Sequence, residues 1–287
     1  MPQAKTHKQT NANRVHVGCQ GWNYNDWVSG PASGGIFYPH GTLRAEMLEV
    51  YARAFETVEV DSTFYAIPSA TTVDGWMKRT PPPFTFSLKL PQEITHERGL
   101  REGSARVLAE FCERAMRLST KLAVILIQLP PQFSATAENF RALSEFLPHL
   151  PRDLRFSIEF RDNGWIEERV MNLLSSYTVA PTLVEGQWIE SERMRKVFDQ
   201  SVADFAYVRF MGARNLVRFD VVQRPQDQNL QAWSETIKQL QKRVPNIYVY
   251  FSNYYEGHAP AGANRLKRLL GQPTVEAAAL EDQPSLF

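Results

Sequence analysis

Charged side chains recur at alternate positions within the short apolar runs of this chain. Glu59 and Asp61 lie in one run, and Glu159 lies in another. Carboxylates can act as general acids, general bases or metal ligands. Lys89, Arg161 and Arg209 occupy comparable positions, and such cations bind phosphate and other anions. Together the two sets predict chemistry on an anionic substrate.

These residues lie in a regular series of predicted strands and helices. Apolar runs with a period of two predict eight strands, over residues 15–21, 57–64, 84–90, 122–129, 155–161, 180–185, 205–211 and 247–251. Helical patterns follow over residues 42–55, 71–79, 100–118, 136–147, 166–176, 228–243 and 260–270. The connection 186–204 has no clear pattern. The alternation predicts an α/β fold of the TIM-type (β/α)8 barrel class. An open doubly wound sheet is the alternative, but the chain has no GxGxxG motif to support a dinucleotide fold.

The period of two also predicts which side chains enter the barrel. In the fifth strand Phe156, Ile158 and Phe160 should face the helices, so that Glu159 and Arg161 face inward. In the second strand the same rule directs Val58, Val60 and Phe64 outward. The parity of the eighth strand is undecided. A charged interior is either a self-paired layer of ion pairs or a site at the C-terminal mouth of the barrel. The predicted catalytic residues are Glu59, Asp61, Lys89 and Glu159.

Loops after the strands add aromatic and polar groups that suit stacking on a sugar or a base. The predicted substrate-binding residues are Gln20, Trp22, Tyr24, Tyr65, His96, Gln128, Arg161, Trp165, Arg209, Asn253 and His258. Alternatively, Trp22 and Trp165 only plug the top of the barrel. No HxH or HExxH spacing occurs. The acids are compatible with a divalent metal, but no ligand motif indicates a cofactor.

Composition excludes several classes of protein. Lys and Arg total 32 against 31 Asp and Glu, a net charge of +1, so the chain cannot coat nucleic acid by charge alone, although a local basic patch remains compatible. Hydrophobic residues make up 43% and charged residues 22%, as in a soluble globular protein. Cys19 and Cys112 are too few for a disulfide framework. No apolar run is long enough for a membrane helix, and the first fourteen residues lack the apolar core of a secretory signal. A cytoplasmic location is therefore expected, without membrane association.

The two ends differ from the middle of the chain. Residues 1–13 are polar and are expected to be disordered, and residues 271–287 resemble a flexible tail. Residues 14–270 are expected to form one barrel domain. The pattern does not indicate the oligomeric state.

Several motifs resemble the YecE-like family, domain of unknown function 72. The motifs are GCQGWNYNDW (18–27), FYP (37–39), TVEVDSTFYAIP (57–68), FSLKLPQEITH (86–96), IQLPP (127–131), IEFRDNGW (158–165), YVRFMG (207–212) and YVYFSNYYEGHAP (248–260). The resemblance extends from about residue 15 to 271 and implies a TIM-type barrel, while leaving the reaction open. Family members often have Ser at the position of Gln20 and Asn at that of Asp61, so Asp61 adds a carboxylate to the mouth.

The last five residues, QPSLF, resemble the pentapeptide that binds the bacterial sliding clamp. Gln283 would form hydrogen bonds, and Leu286 and Phe287 would enter an apolar pocket. Pro284 replaces the usual Leu. A terminus folded back on its own surface is the alternative.

The residues leave several functions open. The first hypothesis is a hydrolase or lyase for a phosphorylated or nucleotide-like substrate, recruited to the clamp. Lys89 could act as a Schiff-base nucleophile, although neighbouring carboxylates should raise its pKa. A carbohydrate-active hydrolase using Glu59 and Glu159 is another variant. A non-catalytic barrel that binds a ligand or partner is the remaining hypothesis.

Overall fold

The computed structural model describes residues 14–30, 36–197 and 203–281, with the side chain of Glu281 left aside. Residues 1–13 and the clamp-like residues Gln283, Leu286 and Phe287 lie outside the described residues. The expectation of a disordered N-terminal tail and that of a clamp-binding C-terminus therefore stay predictions.

A closed barrel of parallel strands organises the described part of the chain. The strands are β1 Arg14–Gln20, β2 Thr57–Val60, β3 Thr85–Lys89, β4 Leu122–Gln128, β5 Phe156–Glu159, β6 Ala180–Glu185, β7 Phe205–Phe210 and β8 Asn246–Phe251. Consecutive strands pair, and β1 closes the ring by pairing with β8, with Val15 beside Ile247. The predicted (β/α)8 barrel class is confirmed.

Helices cover the outside of the barrel, and one short helix after the last strand lies at its mouth. They are α1 Met47–Ala54, α2 Ala70–Lys78, α3 Ser104–Met116, α4 Ala137–Phe146, α5 Glu168–Ser176, α6 Ser191–Val197, α7 Asp227–Leu240, α8 Asn253–Glu256, α9 Ala259–Leu269 and α10 Ala277–Glu281. Side-chain caps start some of them: Ser69 accepts a hydrogen bond from the amide of Thr72, and Thr136 from that of Asn139. No helix among the described residues is long and apolar enough to cross a bilayer.

Apolar side chains pack against both faces of the strands. One layer lies between the strands and the helices and takes the outward side chains, such as Phe156 and Ile158. The other fills the barrel interior with Val124, Leu126 and large aromatic rings. The interior is therefore charged only near the C-terminal ends of the strands.

Strand eight, whose parity the sequence left undecided, points two tyrosines inward. Tyr248 and Tyr250 belong to the interior cluster, whereas Val249 belongs to the outer layer. The hydroxyl of Tyr250 lies 2.7 Å from Thr57 Oγ1 and 2.9 Å from Ser87 Oγ. Polar neighbours on β2 and β3 thus satisfy a buried phenol.

Two predicted boundaries are wrong. The second strand ends at Val60, and residues Ser62–Phe64 form a 3₁₀ turn, so Phe64 turns towards the mouth instead of outward. The ordered chain also continues past the predicted limit at 270. Leu280 of α10 is buried, and Gln272 Nε2 donates to the carbonyl of Val15 at 2.8 Å. Asn264, which donates to the carbonyl of Val275, and the ion pair between Arg268 and Glu276 add to these contacts, which no amphipathic period indicates.

Candidate functional site

A buried ion-pair layer spans the barrel below the C-terminal ends of the strands. Arg209 of β7 lies at its centre and donates to Glu59 of β2, from Nε to Oε2 at 2.9 Å and from Nη2 to Oε1 at 2.7 Å. Tyr207 donates to the same carboxylate at 2.7 Å. The other guanidinium edge of Arg209, through Nη1, pairs with Glu159 Oε2. The layer therefore pairs one cation with two acids.

Glu159 of β5 joins this layer to the surface. Its Oε1 accepts a hydrogen bond from Arg161 Nε at 2.9 Å. Burial opposes ionisation, but the guanidinium groups of Arg209 and Arg161 outweigh it and lower the pKa of Glu159 to about 2. The carboxylate is therefore charged at neutral pH and paired on both oxygens.

Lys89, at the end of β3, differs from the other buried charges. Its Nζ lies 3.5 Å from the centre of the Phe64 ring. In the described part of the chain, this Nζ has neither a hydrogen-bond acceptor nor a carboxylate partner. Thr63 fixes the backbone, donating to the Lys89 carbonyl at 2.7 Å and accepting from the Lys89 amide at 3.1 Å. The amine is thus positioned but unpaired.

Burial is the main reason that the pKa of Lys89 is lowered, to about 7. The charge of Arg209 adds to this effect, whereas Glu159 and Glu59 act in the opposite direction. The neighbouring carboxylates do raise the pKa of Lys89, but the expected net rise is wrong, because the pKa is lowered overall. Both acids are already paired with Arg209, and the cost of desolvating an ammonium group is larger. About half of the amines are uncharged at neutral pH.

Two further titratable groups stand beside this amine. Burial, with the negative charge of Glu59, raises the pKa of Asp61. Partial burial, together with the positive charges of Lys89, Arg161 and Arg214, lowers the pKa of His96 to about 4. His96 is therefore neutral near pH 7, with Nδ1 2.8 Å from Thr95 Oγ1.

A cavity of about 400 Å³ opens above the layer, at the C-terminal mouth of the barrel. Its described lining consists of Gln20, Tyr24, Asp61, Phe64, Tyr65, Lys89, Gln92, His96, Gln128, Arg161, Met211, Arg214, Phe219, Ser252, Asn253 and Tyr254. This volume is in the range of small-molecule sites. The wall combines aromatic rings, side-chain amides and basic groups with one carboxylate.

Many of the residues predicted from the sequence meet in this cavity. Those that line it are Gln20, Tyr24, Asp61, Tyr65, Lys89, His96, Gln128, Arg161 and Asn253. Glu59, Glu159 and Arg209 lie beneath it in the ion-pair layer, with at most 1% of each side chain exposed. These three residues set the charge around the cavity and do not form its wall.

Trp22, Trp165 and His258 are not part of the described lining. Trp22 packs edge-on against Trp76. Trp165 is buried against Phe133, to whose carbonyl its Nε1 donates at 2.7 Å. His258 is buried beside Trp27, and burial lowers its pKa to about 4.

Other lining residues were not among the predicted site residues. They are Phe64, Gln92, Met211, Arg214, Phe219, Ser252 and Tyr254. Arg214 and Phe219 belong to the connection 211–226, whose irregular backbone has no period to read. Its length was the available signal, because long structureless connections in compact domains are often functional.

No three His, Cys, Asp or Glu side chains lie close enough to hold a metal ion within residues 14–30, 36–197 and 203–281. Glu59 and Glu159 are already bound to arginine. Asp61 is the lone carboxylate of the described cavity wall.

Comparison with known proteins shows similarity along almost the whole chain. The sequence profile of the family described as "Protein of unknown function DUF72" matches residues 16–285. The UPF0759 protein YunF of Bacillus subtilis is 25% identical over 276 residues, which cover 89% of this chain and 94% of YunF.

Solved structures agree on the fold. A DUF72 family protein from Thermotoga maritima superposes with a TM-score of 0.71 at 24% identity, covering 90% of this chain and 99% of that one. An endo-beta-1,4-glucanase from Xanthomonas axonopodis pv. citri gives a TM-score of 0.52 at 10% identity, covering 89% and 98%. At such low identity the likeness to the glucanase concerns the barrel alone.

Proposed function

The chain belongs to the DUF72 family, and we propose that its barrel mouth is the active site of a lyase in which Lys89 attacks the carbonyl group of a small anionic substrate. The unpaired amine of Lys89 carries this proposal. A lysine acts as a nucleophile only when it is uncharged, and desolvation in a buried site is one way to reach that state. Lys89 has this environment, and it lines the cavity.

The proposed reaction begins with a Schiff base. Nζ forms a bond to the carbonyl carbon, the carbonyl oxygen leaves as water, and one proton is taken up to give the protonated imine. Asp61 then accepts the hydroxyl proton from the carbon β to the imine carbon. The bond between the α and β carbons breaks, and its electron pair enters the imine to give an enamine. Protonation of the enamine and hydrolysis by water release two carbonyl products and free Lys89, without net oxidation or reduction.

Asp61 suits the proton transfer because burial and the charge of Glu59 raise its pKa. A carboxylate whose pKa is raised is a stronger base and accepts the hydroxyl proton more readily. The positive charges of Arg161 and Arg214 at the cavity favour an anionic substrate.

The alternative of a carbohydrate-active hydrolase is less well supported. Such an enzyme needs one free carboxyl acid and one free carboxylate facing the substrate. Glu59 and Glu159 are instead bound to the same guanidinium group and lie beneath the cavity. The glucanase likeness adds no support for the reaction, because it concerns the fold.

Recruitment to the bacterial sliding clamp remains part of the proposal. It rests on the sequence of the last five residues, QPSLF, which lie outside the described part of the structure. A clamp-bound enzyme would work in the cytoplasm, in agreement with the location expected from the sequence.

Reductive trapping tests the proposed reaction. The full chain is incubated near pH 7 with glyoxylate, a small anionic aldehyde, and cyanoborohydride, and labelled lysines are located by mass spectrometry. About half of the Lys89 amines are uncharged at this pH, against about one in 3,000 for an ordinary lysine, so Lys89 should be labelled first. Lys121 is an internal control, because its buried ammonium donates to the carbonyl and the hydroxyl of Thr80.

Lys89→Met should abolish the preferential adduct while leaving the labelling of other lysines unchanged. Labelling of Lys89 no faster than that of exposed lysines would contradict the reaction. A ligand that raises the melting temperature without any adduct would instead favour the non-catalytic binding barrel.

A further inference from the structure

Arg214 is a cation at the cavity whose side chain has no hydrogen bond or ion pair within the described residues. Two other arginines of the same connection do have partners. Arg218 pairs with Asp220 at 2.7 Å, and Arg224 donates to the side-chain carbonyl of Asn215 at 2.6 Å. Arg214 lines the cavity, and its charge contributes to the lowered pKa of His96. An unpaired guanidinium at a pocket wall is suited to a ligand anion.

Contacts on both sides of Arg214 hold the connection 211–226 in place. Gly212 has φ +62°, and a Cβ there would lie 2.2 Å from the carbonyl oxygen of Tyr254, so only glycine allows this close approach. Phe219 packs edge-on against Tyr254, and its amide donates to Asp26 at 3.1 Å. The guanidinium is therefore presented by an anchored segment.

Side-chain amides supply a second kind of contact. Asn253 is 2% exposed, and its Oδ1 accepts hydrogen bonds from Trp27 Nε1 and from the amide of Ala259, both at 3.0 Å. These bonds fix the orientation of the amide, and its buried Nδ2 has no hydrogen-bond partner among the described residues. Gln20 and Gln92 add two further amides to the same wall. Oriented N–H donors of this kind bind hydroxyl and carbonyl oxygens.

The aromatic residues of the cavity contact one another edge to face. The ring planes of Phe219 and Tyr254 are inclined by 82°, and those of Phe219 and Tyr24 by 76°. Phe64 and Tyr65 meet at 80°. None of these contacting pairs offers two parallel faces between which a base could stack. Together with the side-chain amides, these walls suit a compact, hydroxylated ligand.

From these contacts we propose that the substrate is an open-chain sugar derivative with a terminal anionic group, bound through Arg214. The side-chain amides would hold its hydroxyl groups, and its carbonyl carbon would face Lys89. This inference rests on the proposed function and narrows it to one substrate class. The terminal group is a phosphate in a sugar phosphate or a carboxylate in a uronic acid.

The test compares carbonyl probes in the same reductive trapping assay. Glyceraldehyde phosphate is compared with uncharged glyceraldehyde, and glucuronate with glucose. The concentration for half-maximal labelling of Lys89 should be at least about tenfold lower for one or both anionic probes, since a charge-assisted contact is gained. The larger of the two reductions in concentration identifies the terminal group as a phosphate or a carboxylate.

Two matched substitutions test whether Arg214 causes the preference for the anionic probes. Arg214→Gln should remove the preference for the anionic probe while Lys89 still reacts with uncharged glyceraldehyde. Arg218→Gln, on the same connection but outside the described lining, should keep it. Oxopropyl phosphate, which lacks the hydroxyl group of glyceraldehyde phosphate, should need a higher concentration than that probe.

The outcomes separate the two proposals. Equal labelling by charged and uncharged probes, or an unchanged preference in Arg214→Gln, would overturn the substrate class while leaving the reaction of Lys89 intact. Equal labelling by oxopropyl phosphate and glyceraldehyde phosphate would also overturn it. Absence of Lys89 labelling by every probe, glyoxylate included, would overturn the proposed function itself.

Discussion

Arg209 and Glu59 are joined by two side-by-side hydrogen bonds, 2.7 Å and 2.9 Å long, between side chains that are fully buried in the barrel. Tyr207 adds a third bond to the same carboxylate. A buried charge is stable only when its partners replace water. Glu59 is therefore a structural anchor of the site, whereas Lys89 is its unpaired member.

Glu59→Gln should lower the free energy of unfolding by roughly 3 kcal/mol, because Arg209 would keep its buried charge with one carboxylate fewer. Urea denaturation followed by circular dichroism measures the change. Glu192→Gln is the control, since Glu192 pairs with Lys196 on the exposed face of α6 and should have no measurable effect. Equal stability of Glu59→Gln and wild type would contradict the structural role.

Acid should destabilise the fold through Glu159. Its pKa is lowered to about 2 in the folded chain, from an ordinary value of 4.5. A depressed carboxyl pKa stabilises the fold above the unfolded value, and this stability is lost as pH falls towards the folded value. Unfolding free energies measured between pH 5 and pH 2 should therefore fall more steeply in wild type than in Glu159→Gln. Parallel slopes would show that Glu159 does not titrate in this way.

Lys89→Met should stabilise the protein by roughly 3 kcal/mol near neutral pH, because a desolvated amine is replaced by an apolar side chain of similar length. The unfolded chain binds more protons than the folded chain between about pH 7 and 10.5, so wild type gains stability as pH rises through this range. The advantage of the variant should shrink accordingly. Thermal and urea unfolding at several pH values measure it, with the exposed Lys242→Met as control. A destabilised Lys89→Met would point to a structural role for this amine.

Clamp binding should depend on the last two side chains. Leu286→Ala with Phe287→Ala should abolish binding of the full chain to a purified bacterial sliding clamp, measured by surface plasmon resonance. This double substitution leaves Leu280, which packs in the core, untouched. Ser285→Ala is a control in the same segment and should bind as wild type does. Undetectable binding by wild type would contradict recruitment to the clamp.

The sequence predicts the inward-facing charges where the strands are regular. Alternation along β5 and β7 directs Glu159 and Arg209 into the barrel, and both lie there. Alternation fails after Val60, because the chain leaves the strand for a 3₁₀ turn that brings Phe64 to the mouth. The alternation also does not decide which side chains of β8 face inward, because tyrosine is compatible with both an apolar and a polar neighbourhood.

Other parts of the site depend on contacts between distant segments. Arg214 reaches the cavity because Gly212 and Phe219 anchor an irregular connection against α8, the short helix that follows β8. No local pattern encodes this. The direction of the Lys89 pKa shift likewise depends mainly on how deeply the amine is buried, which requires the three-dimensional arrangement.

Titration of the Lys89 amine shows whether this side chain can act as a nucleophile at neutral pH. Competitive acetylation of the full chain at a series of pH values, read by mass spectrometry, gives the pH dependence for each lysine, with exposed Lys242 as the internal reference. The acetylation rate of Lys89 should rise with pH, with a midpoint that corresponds to a pKa of about 7. A midpoint near the ordinary value of 10.5 would show a permanently charged ammonium at neutral pH and would contradict its role as a nucleophile.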